Sequence, residues 1–328
     1  MLCPVSNRLP LEGEMNFGTL KVFSGSSHPK FTDDICSHLG IPAGRREIVT
    51  FSNQNIMTKI SESVRGDDVF VVQTMAPPVN AHIMEALIMI DALRGASASR
   101  ITAVLPYFPY ARSDKKDQPR ISIAARLMAD LFQTAGADRV LTMNLHCAQI
   151  QGFLRIPSDQ LIGGPVISEH LRKSDLSNTV LVASDVGEVK DLTHYANRLD
   201  LPMAIIDKRR SGNDEKAKAH SVIGDVEGKD AILLDDEIAS GGTMIEAIAF
   251  LIKNGVTSVR CGAVHGVLTS NATQRLSATS LDEILVCDTI PVPEEKLTDK
   301  VKVLTVAPMF ADAIARIHSG KSISEMFD

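Results

Sequence analysis

The sequence predicts an α/β fold with doubly wound, mostly parallel sheets that are covered by helices on both faces. Short, continuously apolar runs alternate along the chain with longer amphipathic runs of helical period. A strand buried on both faces is apolar throughout, and parallel neighbours need a crossover connection, usually a helix. The chain has 328 residues and 44% hydrophobic content, a size at which one core usually divides into two domains.

The predicted elements follow one another in strand–helix order. The strands, each short and mainly apolar, are Leu20–Phe23, Asp68–Gln73, Ile101–Leu105, Val140–Asn144, Thr179–Ala183, Met203–Asp207, Ala231–Leu234, Ser258–Val264 and Glu283–Cys287. The helices include Asn80–Leu93, Ile121–Thr134, Pro165–Lys173, Val186–Leu199, Gly241–Asn254 and Met309–His318.

The two halves of the chain have similar outlines. Val69–Gln73 leads through a short loop into a helix, and Ile232–Asp236 does the same in the second half. In each half, the next strand then opens on a polar loop. This duplication predicts two similar domains, at residues 17–163 and 164–328, after an irregular extension at residues 1–16.

Composition and charge argue against several classes of function. The net charge is −6 and Trp is absent, so we expect no broad nucleic-acid surface, base-stacking platform or membrane surface. The five cysteines are widely spaced and form no CxxC pair, which disfavours a zinc site or disulfide framework and fits the cytoplasm. The N-terminus lacks the pattern of a signal peptide, and the most apolar helical stretch, residues 81–93, is too short to span a bilayer.

The most informative segment joins an acidic pair to a loop of small residues. Asp235 and Asp236 end a predicted strand, and the loop that leads into the next helix contains Ala239, Ser240, Gly241, Gly242 and Thr243. Ligands of doubly wound sheets bind beyond the carboxyl ends of strands, where small residues let backbone amides approach a phosphate. The acidic pair would then accept hydrogen bonds from sugar hydroxyls. The alternative is an ordinary turn in which Ser240 and the acidic residues cap the helix.

Two further strand ends carry charged residues. Lys208, Arg209 and Arg210 end the strand that begins at Met203, and three successive cations would repel one another unless an anion lay beside them. Phosphoryl transfer uses such cations to stabilise the charge of the transition state. The alternative is a solvated basic turn. Asp185 lies just past another predicted strand, so it is expected to face the same crevice.

These residues belong to segments that resemble, in order, the ribose-phosphate pyrophosphokinase family. The resemblance covers nearly the whole chain and rests on Lys21–Ser26, Val79–Asn80, Leu87–Leu93, Ile101–Arg112, Ala135–Leu141, His146–Gly152, Ile206–Arg210 and Lys302–Phe327. It implies two tandem phosphoribosyltransferase-like domains, each a mostly parallel sheet flanked by helices. The second would carry the ribose 5-phosphate loop, and the final helix could pack back on the first. The implied reaction transfers the β,γ-diphosphate of Mg-ATP to the 1-hydroxyl of ribose 5-phosphate, giving phosphoribosyl pyrophosphate and AMP.

The resemblance also implies roles for the matched residues. Lys208 and Arg210 are the catalytic pair, on a loop that closes over ATP, and His146 and Asp185 bind magnesium. The residues that bind ribose 5-phosphate are Arg210, Asp235, Asp236, Ala239, Ser240, Gly241, Gly242 and Thr243. The residues that bind ATP are Phe51, Asn53, Gln54, Asn55, Arg112, Ser113 and His146, with the first four supplied by a neighbouring subunit.

Several matched positions depart from the family pattern. The family has Phe-Ser-Asp-Gly-Glu where this chain has Phe51-Ser-Asn-Gln-Asn55, and Gln where it has Ser113. Asparagine keeps a hydrogen-bond acceptor but loses the charge. The other departures are Asn144, Glu188, Lys190 and Ala239. We therefore expect activity with an altered affinity or specificity for the nucleotide.

Two other functions remain open at this point. The substitutions suggest a catalytically weak regulatory homologue that joins active partners, although such a protein would tend to lose the Lys208 and Arg210 loop that this chain keeps. The phosphate loop alone would also permit a phosphoribosyltransferase that uses a base as acceptor. The resemblance further implies a homo-oligomer in which dimers assemble to a hexamer, with ADP and phosphate as effectors.

Overall fold

The computed structural model describes residues 17–209 and 218–327, and it describes the backbone alone at Val186, Lys208, Arg209, Lys218 and Ala219. In chain order, the strands of this part are β1 (Leu20–Ser24), β2 (Arg46–Thr50), β3 (Ile56–Ile60), β4 (Asp68–Val72), β5 (Arg100–Leu105), β6 (Arg139–Met143), β7 (Ser158–Leu161), β8 (Thr179–Ala183), β9 (Met203–Arg209), β10 (Lys218–Ile223), β11 (Asp230–Glu237), β12 (Ser258–His265), β13 (Glu283–Cys287) and β14 (Val301–Leu304). The helices are α1 (Pro29–Leu39), α2 (Val79–Gly95), α3 (Ala124–Ala135), α4 (Gly164–Leu171), α5 (Val189–Leu199), α6 (Gly242–Lys253), α7 (Ala272–Ser277) and α8 (Ala307–His318).

Two mostly parallel sheets confirm the predicted α/β class. The first has five parallel strands in the order β1-β4-β5-β6-β7. The second has seven strands in the order β10-β9-β8-β11-β12-β13-β14, of which the edge strand β10 alone is antiparallel to its neighbour. A separate antiparallel hairpin pairs β2 with β3. The connections place the carboxyl ends of the parallel strands along one edge of each sheet, where side chains from successive loops meet.

One central core is shared by the two main sheets. Phe70 of β4 and Leu181 of β8 both belong to it, together with residues of α1, α4, α5 and α8. The next residues along the same strands, Val71 and Val182, belong instead to two outer cores, one beneath α2 and α3 and the other beneath α6. Burying one such side chain contributes about 1.5–3 kcal/mol through the apolar area removed from water. Burial of both strand faces explains the continuous apolar runs in the sequence.

Helix α8 connects the end of the chain to elements of the first half. Phe310 packs edge-on against Phe31 of α1, with 5.4 Å between the ring centroids. At the end of α8, Arg100 donates a hydrogen bond of 2.9 Å to the carbonyl oxygen of Ile317. Arg100 also pairs with the fully buried Asp68 at 2.6 Å, which removes the cost of leaving that carboxylate unpaired. The boundary between residues 163 and 164 stays a prediction.

The strands that the sequence analysis missed share a position at an edge or in the hairpin. They are β2, β3, β7, β10 and β14. An edge strand has one free side, so its residues are half-exposed and lack a continuous apolar run. The pattern of β14, with two exposed residues among four, is typical of this group. Helices α1 and α7 were also missed.

Candidate active site

The end of β11 carries three consecutive carboxylates, Asp235, Asp236 and Glu237. Short local hydrogen bonds hold the first two side chains in position. Asp236 N donates to Asp235 Oδ1 at 2.7 Å, and Glu237 N donates to Asp236 Oδ1 at 2.8 Å. Burial raises the pKa of Asp235, and the neighbouring Asp236 and Glu188 act in the same direction. Burial opposes the charge on Asp236 as well, but hydrogen bonds from His146 and Asp235 outweigh it and lower the pKa of this carboxyl. The strand end therefore concentrates negative charge on Asp236.

His146 meets this strand end from the other sheet. It lies in the loop after β6, and its Nδ1 is 2.6 Å from Asp236 Oδ2. The hydrogen bond to Asp236 raises the pKa of His146 against the opposing effect of burial. Because the carboxylate of Asp236 binds Nδ1, the other ring nitrogen, Nε2, is the one that can face a ligand. Carboxylates orient metal-binding histidines in the same way.

A second contact between the halves joins Glu237 to Tyr107 and Arg112. Tyr107 Oη donates to Glu237 Oε2 at 2.9 Å, and Arg112 Nη1 donates to Glu237 Oε1 at 3.1 Å. The Glu237 side chain is 7% exposed, whereas that of Arg112 is 64% exposed. The arginine therefore reaches from solvent into the crevice and is held at one nitrogen by a buried carboxylate. The sequence analysis assigned no role to Tyr107 or Glu237.

His265, a buried residue at the end of β12, supports the loop that carries His146. Its Nε2 donates to the carbonyl oxygens of Met143 at 3.1 Å and Asn144 at 3.0 Å, and its Nδ1 lies 2.9 Å from Thr289 Oγ1. Burial lowers the pKa of His265, so the neutral ring serves as a fixed link between the halves. The sequence analysis missed this residue, and its position at a strand end was the available signal.

The loop after β11 is shaped for backbone approach to an anion. Gly241 has a left-handed φ of +72° and precedes the first turn of α6, which has no side-chain cap. Amides of that turn are the groups that bind phosphate at helix N-termini. The loop is held from outside, because Arg275 donates to the carbonyl oxygen of Ser240 at 3.2 Å and Thr269 N donates to that of Ala239 at 2.9 Å. Gly242 and Thr243 open the helix itself, as the sequence predicts.

Asp185 lies just past β8, which neighbours β11 in the sheet. Its Oδ1 accepts a hydrogen bond of 2.8 Å from Gly187 N. Glu188, one of the departures from the family pattern, turns back to accept hydrogen bonds of 2.8 Å from the backbone and hydroxyl of Ser184. Its charge nonetheless adds to the effects that raise the pKa of Asp235.

The candidate ATP residues of the first half lie in two different settings. Residues 51–55 are all exposed at the tip of the β2–β3 hairpin, and Phe51 is 48% exposed. The loop is closed by its own contacts, which include 3.1 Å from Asn55 N to Asn53 Oδ1, and Gln54 adopts a φ of +68°. Ser113 instead holds the start of α3, because its hydroxyl accepts from Ala124 N at 3.3 Å. The structure brings Arg112 and His146 to the acidic strand end.

The predicted catalytic pair falls at the margin of the described residues. Arg210 lies outside them, and for Lys208 the backbone alone is described, in β9. Pairing of β9 with β8 extends to Ile205 and Ala183, so the backbone of Lys208 continues beyond the end of β8, on the side of Asp185. The proposed role of Lys208 and Arg210 stays a prediction.

The donor set fits a magnesium ion better than a metal with a full protein cage. Within residues 17–209 and 218–327, no group of three or more His, Cys, Asp and Glu side chains is arranged to hold a metal. Magnesium is commonly held by one or two carboxylates together with substrate phosphates, so Asp185 at this edge matches its preference. A full zinc site would need the closed ligand set that these residues lack.

Fold and site together define an α/β protein of two mostly parallel sheets, with an acidic strand end followed by a loop of the kind that binds phosphate. Comparison of the chain with known protein families, sequences and solved structures identifies the particular family. A model described as the N-terminal domain of ribose phosphate pyrophosphokinase matches residues 20–136, and one described as the phosphoribosyl synthetase-associated domain matches residues 212–328.

Relatives cover nearly the whole chain. A ribose-phosphate pyrophosphokinase of Caldanaerobacter subterraneus subsp. tengcongensis is 47% identical over 310 residues, which are 94% of this chain and 98% of that protein. One of Deinococcus radiodurans is 46% identical over 313 residues, again 94% and 98%. The crystal structure of phosphoribosylpyrophosphate synthetase from Mycobacterium smegmatis matches with a TM-score of 0.88 and 39% identity, covering 92% of this chain and 100% of that one. This chain therefore belongs to the ribose-phosphate pyrophosphokinase family.

Membership confirms the family resemblance, the pair of phosphoribosyltransferase-like domains and the expectation of an enzyme. The described helices are each too short or too polar to cross a bilayer.

Proposed function

We propose that this chain transfers the β,γ-diphosphate of ATP to the 1-hydroxyl of ribose 5-phosphate, forming phosphoribosyl pyrophosphate and AMP. The observation that carries the proposal is the end of β11. There an acidic pair, in contact with His146 at 2.6 Å, directly precedes a glycine loop at a helix N-terminus. The relatives in this family are named for the same reaction.

Ribose 5-phosphate is bound at this strand end in our proposal. The amides and hydroxyls of residues 239–243 hold the phosphate, because the uncapped first turn of α6 offers donors and a partial positive charge. Asp235 and Asp236 accept hydrogen bonds from the ribose hydroxyls. Arg210 adds a cation to the sugar phosphate.

ATP lies across the crevice from the sugar. Arg112 binds the nucleotide, and His146 with Asp185 would hold magnesium, which neutralises phosphate charge when it is bound. Residues 51–55 and Ser113 complete the nucleotide site, the former from a neighbouring subunit, which agrees with their exposure at a hairpin tip. Since Asn53 and Asn55 lack the charge of the family's acidic residues, we propose a weakened or altered preference for adenine.

Lys208 and Arg210 stabilise the charge that develops on the transferred group. Lys208→Ala should lower kcat about a hundredfold or more, which corresponds to about 3 kcal/mol of lost transition-state stabilisation. The matched control is Lys229→Ala at the opposite end of β11, where Lys229 pairs with Asp225 at 3.1 Å. Steady-state rates of both variants test the assignment of Lys208, and unimpaired turnover by Lys208→Ala would contradict it.

The function is tested by incubating the purified protein with Mg-ATP and ribose 5-phosphate and separating the products. AMP and phosphoribosyl pyrophosphate should form in equal amounts, and only when the sugar phosphate is present. A folded protein that gives no AMP with any common triphosphate, but changes the rate of an active relative, would be a regulatory homologue instead. Consumption of phosphoribosyl pyrophosphate with a purine or pyrimidine base would point to a phosphoribosyltransferase.

The remaining properties follow from family membership as proposals. We propose a cytoplasmic homo-oligomer in which dimers assemble to a hexamer, with ADP and phosphate as effectors. Sedimentation at the working protein concentration tests the assembly, and rates at varied phosphate and ADP test the effectors.

A further inference from the structure

Glu237 has no role in the binding scheme above, although it is the third of the consecutive carboxylates. Its side chain is 7% exposed, and it belongs to the second half while its two partners belong to the first. A carboxylate this far from water costs several kcal/mol unless it is paired and hydrogen-bonded. Its placement next to a site for polyphosphate adds charge repulsion. The energetic cost of placing Glu237 here therefore indicates that the residue has a compensating role.

Both carboxylate oxygens of Glu237 are used. Oε2 accepts from the hydroxyl of Tyr107 at 2.9 Å, and Oε1 accepts from Nη1 of Arg112 at 3.1 Å. Burial raises the pKa of Tyr107, which keeps this hydroxyl protonated and able to donate. In addition, the ring of Tyr107 lies 4.8 Å from that of the buried His265, so the donor is itself held in place.

The partner that gains most from this arrangement is Arg112. Its side chain is 64% exposed, and a free arginine loses up to about 2 kcal/mol of rotamer entropy when it is fixed. A guanidinium has five N–H donors in a rigid fork, so a single contact at Nη1 fixes its direction and leaves the other donors for a ligand. Fixing the arginine in advance lowers the cost of binding a nucleotide.

We propose that Glu237 is a positioning residue of the nucleotide site, holding the guanidinium of Arg112 across the crevice in the orientation that receives ATP. This inference rests on the proposed function, because Arg112 is taken as an ATP contact. The opposite arrangement is a latch, in which Glu237 competes with the nucleotide for Arg112. The two arrangements predict opposite changes in nucleotide affinity. Removal of a positioning residue weakens nucleotide binding, and removal of a latch strengthens it.

The test is a double-mutant cycle of Glu237→Ala and Arg112→Ala, with the dissociation constant of a non-hydrolysable ATP analogue measured by calorimetry and the KM for ATP measured by rates. We expect Glu237→Ala to raise both constants about tenfold, equivalent to about 1.4 kcal/mol, with a smaller change in kcat. In the Arg112→Ala background it should have no further effect, because Glu237 acts through that side chain. The KM for ribose 5-phosphate should stay close to that of the wild type.

Two further variants separate positioning from folding. Glu237→Gln keeps the shape and can still accept a hydrogen bond through its amide oxygen, so it should recover part of the loss. Glu246→Ala removes an exposed glutamate from α6 and should leave the constants unchanged. Tighter binding by Glu237→Ala, or additive effects in the cycle, would overturn the inference. A wild-type protein that binds the analogue but forms no product would count against the proposed function, whereas the binding cycle would still decide the role of Glu237.

Discussion

The carboxyl ends of β4 and β11 occupy equivalent places in the two halves, yet they use their polar groups differently. After β4, Gln73 is 1% exposed and is engaged by the protein itself, accepting from Ser27 Oγ at 2.6 Å and donating to Glu85 at 2.8 Å. At the end of β11, Asp235 and Asp236 remain half-buried, and Asp236 contacts His146 at 2.6 Å. The same strand–loop–helix unit thus serves packing in one half and, in our proposal, ligand binding in the other. What differs is whether the polar groups at the strand end are already satisfied by the core.

The loops that follow the two strands show the same difference in how their polar groups are used. The first loop contains Thr74, whose hydroxyl donates to the carbonyl oxygen of Thr289 at 2.5 Å, and it enters α2 through Pro78. Proline removes a backbone N–H, so this turn offers fewer donors to a phosphate. The second loop enters α6 through Gly241, which keeps its backbone N–H, and the next amide, Gly242 N, makes only a long hydrogen bond of 3.4 Å to Ser240 Oγ. The comparison predicts that changes at the second strand end impair activity, and that changes at the first impair stability.

Asp236→Asn should give the largest loss of activity among the changes at the two strand ends. It removes one charge from the pair that we propose to bind the sugar hydroxyls, and it removes the ionic partner of His146, so kcat/KM for ribose 5-phosphate should fall about a hundredfold. The amide has the size of the carboxylate, so the thermal midpoint should stay near that of the wild type. Initial rates at varied sugar phosphate, with a melting curve on the same sample, measure both quantities.

Gln73→Ala is the matched change at the first strand end. It removes the acceptor of Ser27 N and Ser27 Oγ and one of the donors to the buried Glu85, so losing these hydrogen bonds should lower the free energy of unfolding by about 1–3 kcal/mol. The kinetic constants should change little. If Gln73→Ala lost activity at full stability while Asp236→Asn lost stability at full activity, the contrast between the two strand ends would be wrong.

Gly241→Ala should have an intermediate effect, about a tenfold rise in the KM for ribose 5-phosphate. A Cβ at Gly241 would lie 3.1 Å from Leu276 in a backbone of left-handed φ, so the loop would shift away from its phosphate-binding shape. Gly228→Ala is the control, since Gly228 also has a positive φ of +70° but no atom near its Cβ. Both variants should lose about 1–2 kcal/mol of stability from backbone strain. An equal rise in KM for the two would show that the loop shape is not what matters.

Asn55→Glu should give the smallest effect, and in the opposite sense. Restoring a carboxylate at the exposed hairpin tip offers a charged acceptor to the amino group of adenine, so the KM for ATP should fall about three- to tenfold. The KM for ribose 5-phosphate in the same variant serves as the internal control. An unchanged or higher KM for ATP would remove residues 51–55 from the proposed nucleotide site.

The sequence was sufficient for the fold class because burial on both strand faces leaves a direct pattern. The core strands β8 and β13 have the same bounds in the structure as in the prediction. The edge strands β7 and β14 were missed, since a half-exposed strand carries little apolar signal. The hairpin of β2 and β3 was missed for the same reason.

The candidate site could be inferred from the sequence where its residues are consecutive, and not where the fold brings distant residues together. Asp235, Asp236 and the glycine loop stand together in the chain, so their chemistry could be inferred from the pattern. The contact of Asp236 with His146 spans 90 positions, and that of Glu237 with Tyr107 spans 130. Such contacts depend on how two sheets face each other, which no local pattern shows.

The most direct test of the account is a positional label experiment with ATP carrying ³²P in the β-phosphate, the wild-type protein, magnesium and ribose 5-phosphate. If the strand end of the second half directs attack of the sugar hydroxyl on the β-phosphorus, the label should appear in the sugar product while the AMP formed is unlabelled. Label recovered in ADP would show transfer of a single phosphoryl group. That outcome, or label that stays in ATP with a folded protein, would contradict the central claim.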